Sequence, residues 1–381
     1  MDIIKGLIYG CALGDAFGVQ AEAMDKEELK RKYPTGITSM SFNTVRGIHC
    51  GDWTDDTDQM ILLMESIDIT GQSKSNNANT NSTKYNTSQS TNTSQSNNNA
   101  NIIQYQLYEK TFAKKLKHWK NHGFSELGDL AGMGLGQLTA RVISHDAFLT
   151  NPYLASRETH KLLHDRIPNG GVMRTAICGL FPNWMELATR QCQVTHWHPE
   201  CVISCQFVCW MIRQCLKTKA NGRYRMKHPL YFVNKYVVEE HRDKLKIYIY
   251  QNLKDLNLDE RHTWGYTYKA MGCAVWVYLR ILQHNKKYTS VDENDITEKK
   301  NSTSNNNSNK THLTYNELDF KKLILEIINE GGDADTNAAV AGSVLGCYLG
   351  YTNLPKDWLS CLIHKKWLDE KIYIFVKKIA M

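Results

Sequence analysis

A chain of 381 residues, 42% apolar and with a formal net charge of +7, has ample material for a core and is neither fibrous nor disordered throughout. No apolar run is long enough to span a bilayer; residues 270–282 come nearest and contain Arg280. Eleven cysteines, with no basic-then-apolar leader at the start, point to reduced, mostly buried thiols and a cytoplasmic setting.

In chain order, residues 2–18 carry Gly and Ala at close spacing, which predicts a tightly packed helix. Gly14-Asp15-Ala16-Phe17-Gly18 ends it, with Glu22 just beyond. Gly51-Asp52-Trp53-Thr54-Asp55-Asp56-Thr57 precedes a helix predicted over 58–69, its acids near the N-terminus. Residues 71–101 are almost entirely Asn, Ser, Thr, Gln and Lys. With a second such tract at 286–312, they pull the mean hydropathy to -0.47. Neither tract can bury enough apolar surface to offset its ordering entropy, so both read as disordered insertions in surface loops. Residues 105–119 form an amphipathic pattern. Basic residues gather at 110–122 and 217–246 and read as solvated helix faces and loops; a positive field would also draw in an anionic substrate such as a diphosphate, and no nucleic-acid module is recognisable. Asn169-Gly170-Gly171-Val172-Met173-Arg174 offers consecutive glycines at which backbone N–H groups can approach a phosphate or sugar. Thr195-His196-Trp197-His198-Pro199 opens a nearly all-apolar helix over 199–216, in which Cys201, Cys205 and Cys209 form a buried stripe. Lys246-Ile247-Tyr248-Ile249-Tyr250 is the one plausible strand. Helical periods return at 266–282, 317–329 and 336–350, and the last follows Gly331-Gly332-Asp333-Ala334-Asp335-Thr336-Asn337. The distribution argues for an all-α fold, and no Gly-rich turn between strand and helix suggests a dinucleotide fold.

Carboxylates and threonine hydroxyls are hard donors, suited to Mg²⁺, Mn²⁺ or Ca²⁺ rather than zinc or copper. Adjacent carboxylates also need a counter-cation to stay together in a folded protein. Helix capping is the plain alternative, but it requires one such residue rather than four in a row at 54–57. A calcium loop fails at both acidic segments. From Asp52 the sixth and twelfth places hold Thr57 and Leu63, and from Asp333 they hold Ala338 and Val344. An aspartyl-phosphate motif fails as well, because a helical period rather than a strand precedes Asp333. His198 reads as a structural hydrogen-bonder.

Taken in order, Gly14-Asp15-Ala16 with Glu22, the 51–57 and 169–174 segments, Thr195 to Pro199, Gly265-Tyr266 and the 332–339 segment resemble the ADP-ribosylglycohydrolase family, of the dinitrogenase-reductase-activating type. The resemblance runs from Gly6 to Gly350 outside the two tracts. It implies a compact, all-α, single-domain fold over 1–381 with a binuclear Mg²⁺ or Mn²⁺ centre in a cleft. By motif position one metal takes Thr54, Asp55, Asp56 and Asp335, and the other takes Asp333, Asp335 and Thr336. Glu22 matches a mobile glutamate beside the metals and, with Asp55 and Asp56, is a candidate for proton handling. Asn169, Gly170, Gly171, Met173 and Arg174 match the loop that cradles ADP-ribose, and His196 matches a ligand-contacting histidine. Ile177 departs from the proline many members carry there. The implied reaction removes ADP-ribose from a modified side chain or small conjugate through an oxocarbenium-like transition state. The partners expected are an ADP-ribosylated protein or small molecule, met by a monomer. A catalytically silent ADP-ribose-binding relative and a binuclear phosphoester hydrolase are the competing readings.

Overall fold

The computed structural model describes residues 1–41, 47–70, 104–163, 167–222, 224–249, 252–285 and 318–379. The two polar tracts at 71–101 and 286–312 lie outside them. Fifteen α-helices are described: α1 Asp2–Gly18, α2 Lys26–Lys32, α3 Asp55–Ser66, α4 Glu109–His122, α5 Gln137–Ser144, α6 Pro152–Leu162, α7 Trp184–Gln193, α8 Pro199–Ala220. They continue with α9 Pro229–Tyr236, α10 Glu239–Lys246, α11 Thr267–Asn285, α12 Phe320–Ile328, α13 Ala334–Leu349, α14 Lys356–Cys361 and α15 Lys365–Ile379. Two strands, β1 Ile67–Thr70 and β2 Gln104–Leu107, pair antiparallel. The fold is all-α, as expected.

The centre is the antiparallel crossing of α1 and α13. Glycines at i, i+4 spacing on α1 meet small residues of α13 backbone to backbone. A Cβ on Gly6 would stand 2.4 Å from the Gly346 carbonyl oxygen, one on Gly10 2.1 Å from that of Gly342, and one on Gly14 2.2 Å from that of Ala338. A Cβ on Gly18 would stand 2.3 Å from the Cα of Asp335. Only residues without side chains allow this approach, which sets the C-terminal end of α1 against the N-terminal end of α13. Further α13 contacts fall to α11 and α8, which are buried nearly all round.

Three expectations need correction. The α3 helix begins at Asp55 rather than 58, so both acids belong to its first turn. The 105–119 pattern splits into β2 and α4. The strand expected at 246–250 is absent: Lys246 ends α10, Ile247 and Tyr248 turn, and Tyr250 lies outside the described residues. Its alternating pattern is too short to form a ladder without a partner, whereas β1 and β2 find each other across more than thirty residues.

Thr70 pairs with Gln104, so the described residues flanking the first tract are adjacent. Deleting most of 73–99 should therefore leave folding and turnover close to the parent's, since each halving of a loop changes closure entropy by about 0.6 kcal/mol. Thermal melts of the deletion variant check this; a fall of ten degrees or more would show that the tract packs on the domain.

Candidate active site

The α3 helix receives its N-terminal cap from another helix. The Asp15 carboxylate on α1 accepts from the backbone N–H groups of Thr54 and Thr57, each at 3.0 Å, and from their hydroxyls at 2.9 and 2.6 Å. Thr54 makes no side-chain cap of its own. The capping reading of 54–57 is thus satisfied by Asp15, and Asp55 and Asp56 remain available for other work. On the opposite side, Gly331 and Gly332 adopt φ of 76° and 72° and turn the chain into α13, with Asp333 at the N-cap and Asp335 in the first turn. Two bonds of 2.8 Å, from the Ala23 N–H to the Gly332 carbonyl and from the Gly332 N–H to the Met24 carbonyl, bring Glu22 beside Asp333. The backbone around Glu22 is held by that bridge and by the preceding 3₁₀ turn Val19–Ala21, so any swing of Glu22 belongs to its side chain.

The result is a cavity of about 180 Å³ lined by Glu22, Asp55, Asp56, Asp333, Asp335 and Thr336 on one side, and by Asn169, Gly170, Met173 and His196 on the other. Ligand oxygens of Asp15, Asp56 and Asp335 lie within 4.8 Å of one another, and those of Glu22, Asp333 and Asp335 likewise. Asp335 stands in both groups. Asp15 is spent on its four donors and acts as their anchor. Asp55 stands beside the two groups; its Oδ2 accepts from Gln59 Nε2 at 3.0 Å. Asn169 Nδ2 donates to Asp333 Oδ2 at 2.8 Å, which ties the glycine loop to the acidic cluster.

The electrostatics call for a cation. Burial, then the neighbouring aspartates, push Asp55 and Asp56 well above the carboxylate range, and Asp333 rises to about 8 for the same reasons. Burial lifts Asp15 to about 6 against the pull of its donors. Asp56 Oδ1 is buried with no hydrogen-bond partner among the described residues. No lysine or arginine is among the described residues lining the cavity. An oxygen-only donor set with an orphaned buried carboxylate oxygen fits a hard divalent ion.

Three expected site residues sit elsewhere than motif position suggests. Thr54 is not among the residues lining the cavity; its hydroxyl bonds Asp15 and stands 3.3 Å from Asp56 Oδ2. Gly171 packs beneath it, and a Cβ there would stand 3.0 Å from Cys192 Sγ. Arg174 was expected to touch ligand, yet its guanidinium is fully buried and turned into the core, bonded to Gln59, Gln191 and Thr195. Four of its five donors find acceptors there, which helps to hold a buried cation. Burial lowers it to about 10, so it is still charged at neutral pH. His198 is structural as expected: its Nδ1 accepts from Glu200 N at 3.1 Å and caps α8.

Sequence reading missed the wall formed by Gly134, Gly136, Gln137, Leu138 and Thr139. Gly134, at φ 85°, approaches so closely that a Cβ would lie 2.4 Å from Asp55 Oδ1. The alternating glycines of Gly132-Met133-Gly134-Leu135-Gly136 were the available signal.

His196 is buried, with Nδ1 2.7 Å from Thr195 Oγ1. Burial first, then the Arg174 charge, hold it well below its ordinary 6.5. A depressed imidazole contributes stability that is present above 6.5 and is lost as pH falls towards its folded value, because the unfolded chain takes the proton first. Relative to His196→Asn, the parent should lose up to about 1.4 kcal/mol per pH unit below 6.5. Urea titrations at several pH values check this; parallel curves would mean that the folded imidazole is charged.

Comparison with known proteins agrees with this fold. A solved structure titled ADP-ribosylglycohydrolase-related protein complex superposes with a TM-score of 0.58 at 19% identity, covering 99% of this chain and 98% of that one. The ADP-ribosylarginine hydrolase Tri1 of Serratia proteamaculans is 22% identical over 375 residues, 96% of this chain and 76% of its own. The ADP-ribosyl-[dinitrogen reductase] glycohydrolase of Rhodospirillum rubrum matches over a 43-residue stretch at 44% identity, which is 11% of this chain and 15% of its own. Residues 1–380 match the family model ADP-ribosylglycohydrolase, and the chain accordingly belongs to that family of glycosidic-bond hydrolases.

Proposed function

We propose that this protein hydrolyses the bond between ADP-ribose and a modified side chain or small acceptor, with two divalent cations, Mg²⁺ or Mn²⁺, in the acidic cluster. The observation that carries the reading is Asp335, whose carboxylate belongs to both oxygen clusters at the wall of a cavity shared with Asn169, Gly170 and His196. Two relatives named for removing ADP-ribose from arginine and from dinitrogen reductase support an ADP-ribosylated protein as substrate. Eleven free thiols, nine of them buried, support an intracellular, reducing setting.

Asp55, Asp56, Asp333, Asp335 and Thr336 would hold the ions, with Thr54 and Asp15 bracing them from behind. The bound ions would supply positive charge for sugar hydroxyls and lower the pKa of water. Gly170, free of a side chain, lets the His196 ring pack against the loop backbone at the cavity wall. His196 offers a neutral imidazole, and Glu22, half-buried in the cavity lining, would take a proton from the attacking water.

The test offers a panel of mono-ADP-ribosylated acceptors together with phosphate esters, and follows release of free ADP-ribose with and without chelator. Release that stops on chelation and returns with Mg²⁺ or Mn²⁺ is expected. Phosphate-ester cleavage alone, or full activity after exhaustive chelation, would overturn the reading. Glu22→Gln keeps the shape and removes the charge, so turnover should fall by roughly two orders of magnitude while ADP-ribose affinity by calorimetry stays close to the parent's. Unchanged turnover would remove Glu22 from proton handling.

A further inference from the structure

Arg174 is an unusual buried cation. It is 0% exposed, and its four hydrogen bonds all go to uncharged groups: Gln191 Oε1 at 3.0 Å, the Gln191 carbonyl at 3.1 Å, Gln59 Oε1 at 2.7 Å and Thr195 Oγ1 at 2.7 Å. The guanidinium also lies 5.0 Å from the Phe112 ring centroid. A charge so far from solvent costs stability unless it is fully bonded, and this one is bonded to neutral groups rather than to a carboxylate. Two of its partners, Gln59 and Thr195, touch residues of the cavity wall, Asp55 and His196. Gln59 accepts from Arg174 through its oxygen, which turns its amide nitrogen onto Asp55 Oδ2 at 3.0 Å. Thr195 accepts from Arg174, and its own hydroxyl proton has His196 Nδ1 within reach at 2.7 Å as an acceptor. An imidazole that accepts at Nδ1 carries its proton on Nε2. That edge of the ring lies against Gly170 at the cavity wall, where a Cβ would stand 3.0 Å from Nε2.

We propose that Arg174 is a positioning residue that sets both sides of the cavity at once: through Gln59 it orients the Asp55 carboxylate towards the cation site, and through Thr195 it holds His196 as the Nε2–H tautomer, a hydrogen-bond donor to ligand. The proposal rests on the functional reading above for what the cavity binds, but the two relays are read from the chain alone. It also explains an arginine in the ligand loop that never reaches the ligand. Lysine cannot replace it, since one ammonium cannot span Gln59, Gln191 and Thr195 in a fixed plane.

Two readouts independent of turnover test it on the full chain. Nitrogen NMR of histidine-labelled protein, with His196 assigned by its loss in His196→Asn, should show Nδ1 unprotonated and Nε2 protonated. Thr195→Val, which keeps the shape and removes the hydroxyl, should shift that tautomer balance and weaken ADP-ribose binding about ten-fold. Mn²⁺ titration calorimetry should show affinity about ten-fold or more weaker in Gln59→Met, as when a partner of a metal-binding carboxylate is lost. Arg174→Lys should reproduce both changes. If that variant does not fold, Thr195→Val and Gln59→Met decide the two relays separately. An Nδ1–H tautomer in the parent, a tautomer unmoved in Thr195→Val, or unaltered Mn²⁺ affinity in Gln59→Met would overturn the proposal. If the parent releases no ADP-ribose from any acceptor, the functional reading fails while the tautomer measurement still stands.

Discussion

Asp335→Ala should abolish turnover, by on the order of 10³-fold or more, while leaving the metal-free fold as stable as the parent or more so. The two effects part company because Asp335 belongs to both oxygen clusters and is also the charged neighbour that most raises Asp55 after burial itself. Removing it takes away a proposed bridge between cations and relieves like-charge repulsion in a buried site. The parent should also gain about 2.7 kcal/mol of stability at a hundredfold excess of cation over its Kd, and the variant should lose most of that gain. Activity assays and melts with and without Mn²⁺ measure both. Near-parental turnover in Asp335→Ala would remove the two-cation arrangement; a large drop in metal-free stability would make Asp335 a structural residue.

Gly10→Ala should destabilise the protein by about 3 kcal/mol or more, although the same change in an isolated helix is worth about 1 kcal/mol in the opposite direction. Packing outweighs propensity here. The added Cβ would stand 2.1 Å from the Gly342 carbonyl oxygen and 2.8 Å from its carbon, both backbone atoms of a buried helix that cannot step aside. Relief requires α1 and α13 to separate, which also moves Asp15 away from Asp335, so turnover should fall with stability. Gly222→Ala, where a Cβ would meet nothing within 4 Å, is the matched control and should stay near neutral. Urea unfolding of the two variants checks the prediction; equal stabilities would mean that the crossing is looser than the backbone contacts require.

Much of this was legible in the chain. The close Gly and Ala spacing of residues 2–18 and 336–350 announced two tightly packed helices, and the acidic segments announced a cluster of oxygen donors, because residue type and short-range spacing carry both signals. The motif order also reached the family. What it could not reach was the partner of each group. Asp15 looked like part of a motif and proved to be the cap of a helix forty residues away. Arg174 stood in a ligand loop and proved to face inward. The strand expected at 246–250 gave way to helix and turn, while β1 and β2 formed where no periodicity had marked them.

The difference has one physical origin. Local sequence determines which backbone conformations and which donor atoms are on offer, so helices, glycine turns and the oxygen-only chemistry of Asp55, Asp56, Asp333, Asp335 and Thr336 can be read without coordinates. Which side chain serves as ligand, which as brace and which as buried counter-charge depends on desolvation and on partners hundreds of residues distant, such as Thr336 against Asp56 or Asn169 against Asp333. Those pairings exist only once α1 and α13 have crossed, and it is that crossing, made possible by the four glycines on one face of α1, that brings the acidic segments to one cavity.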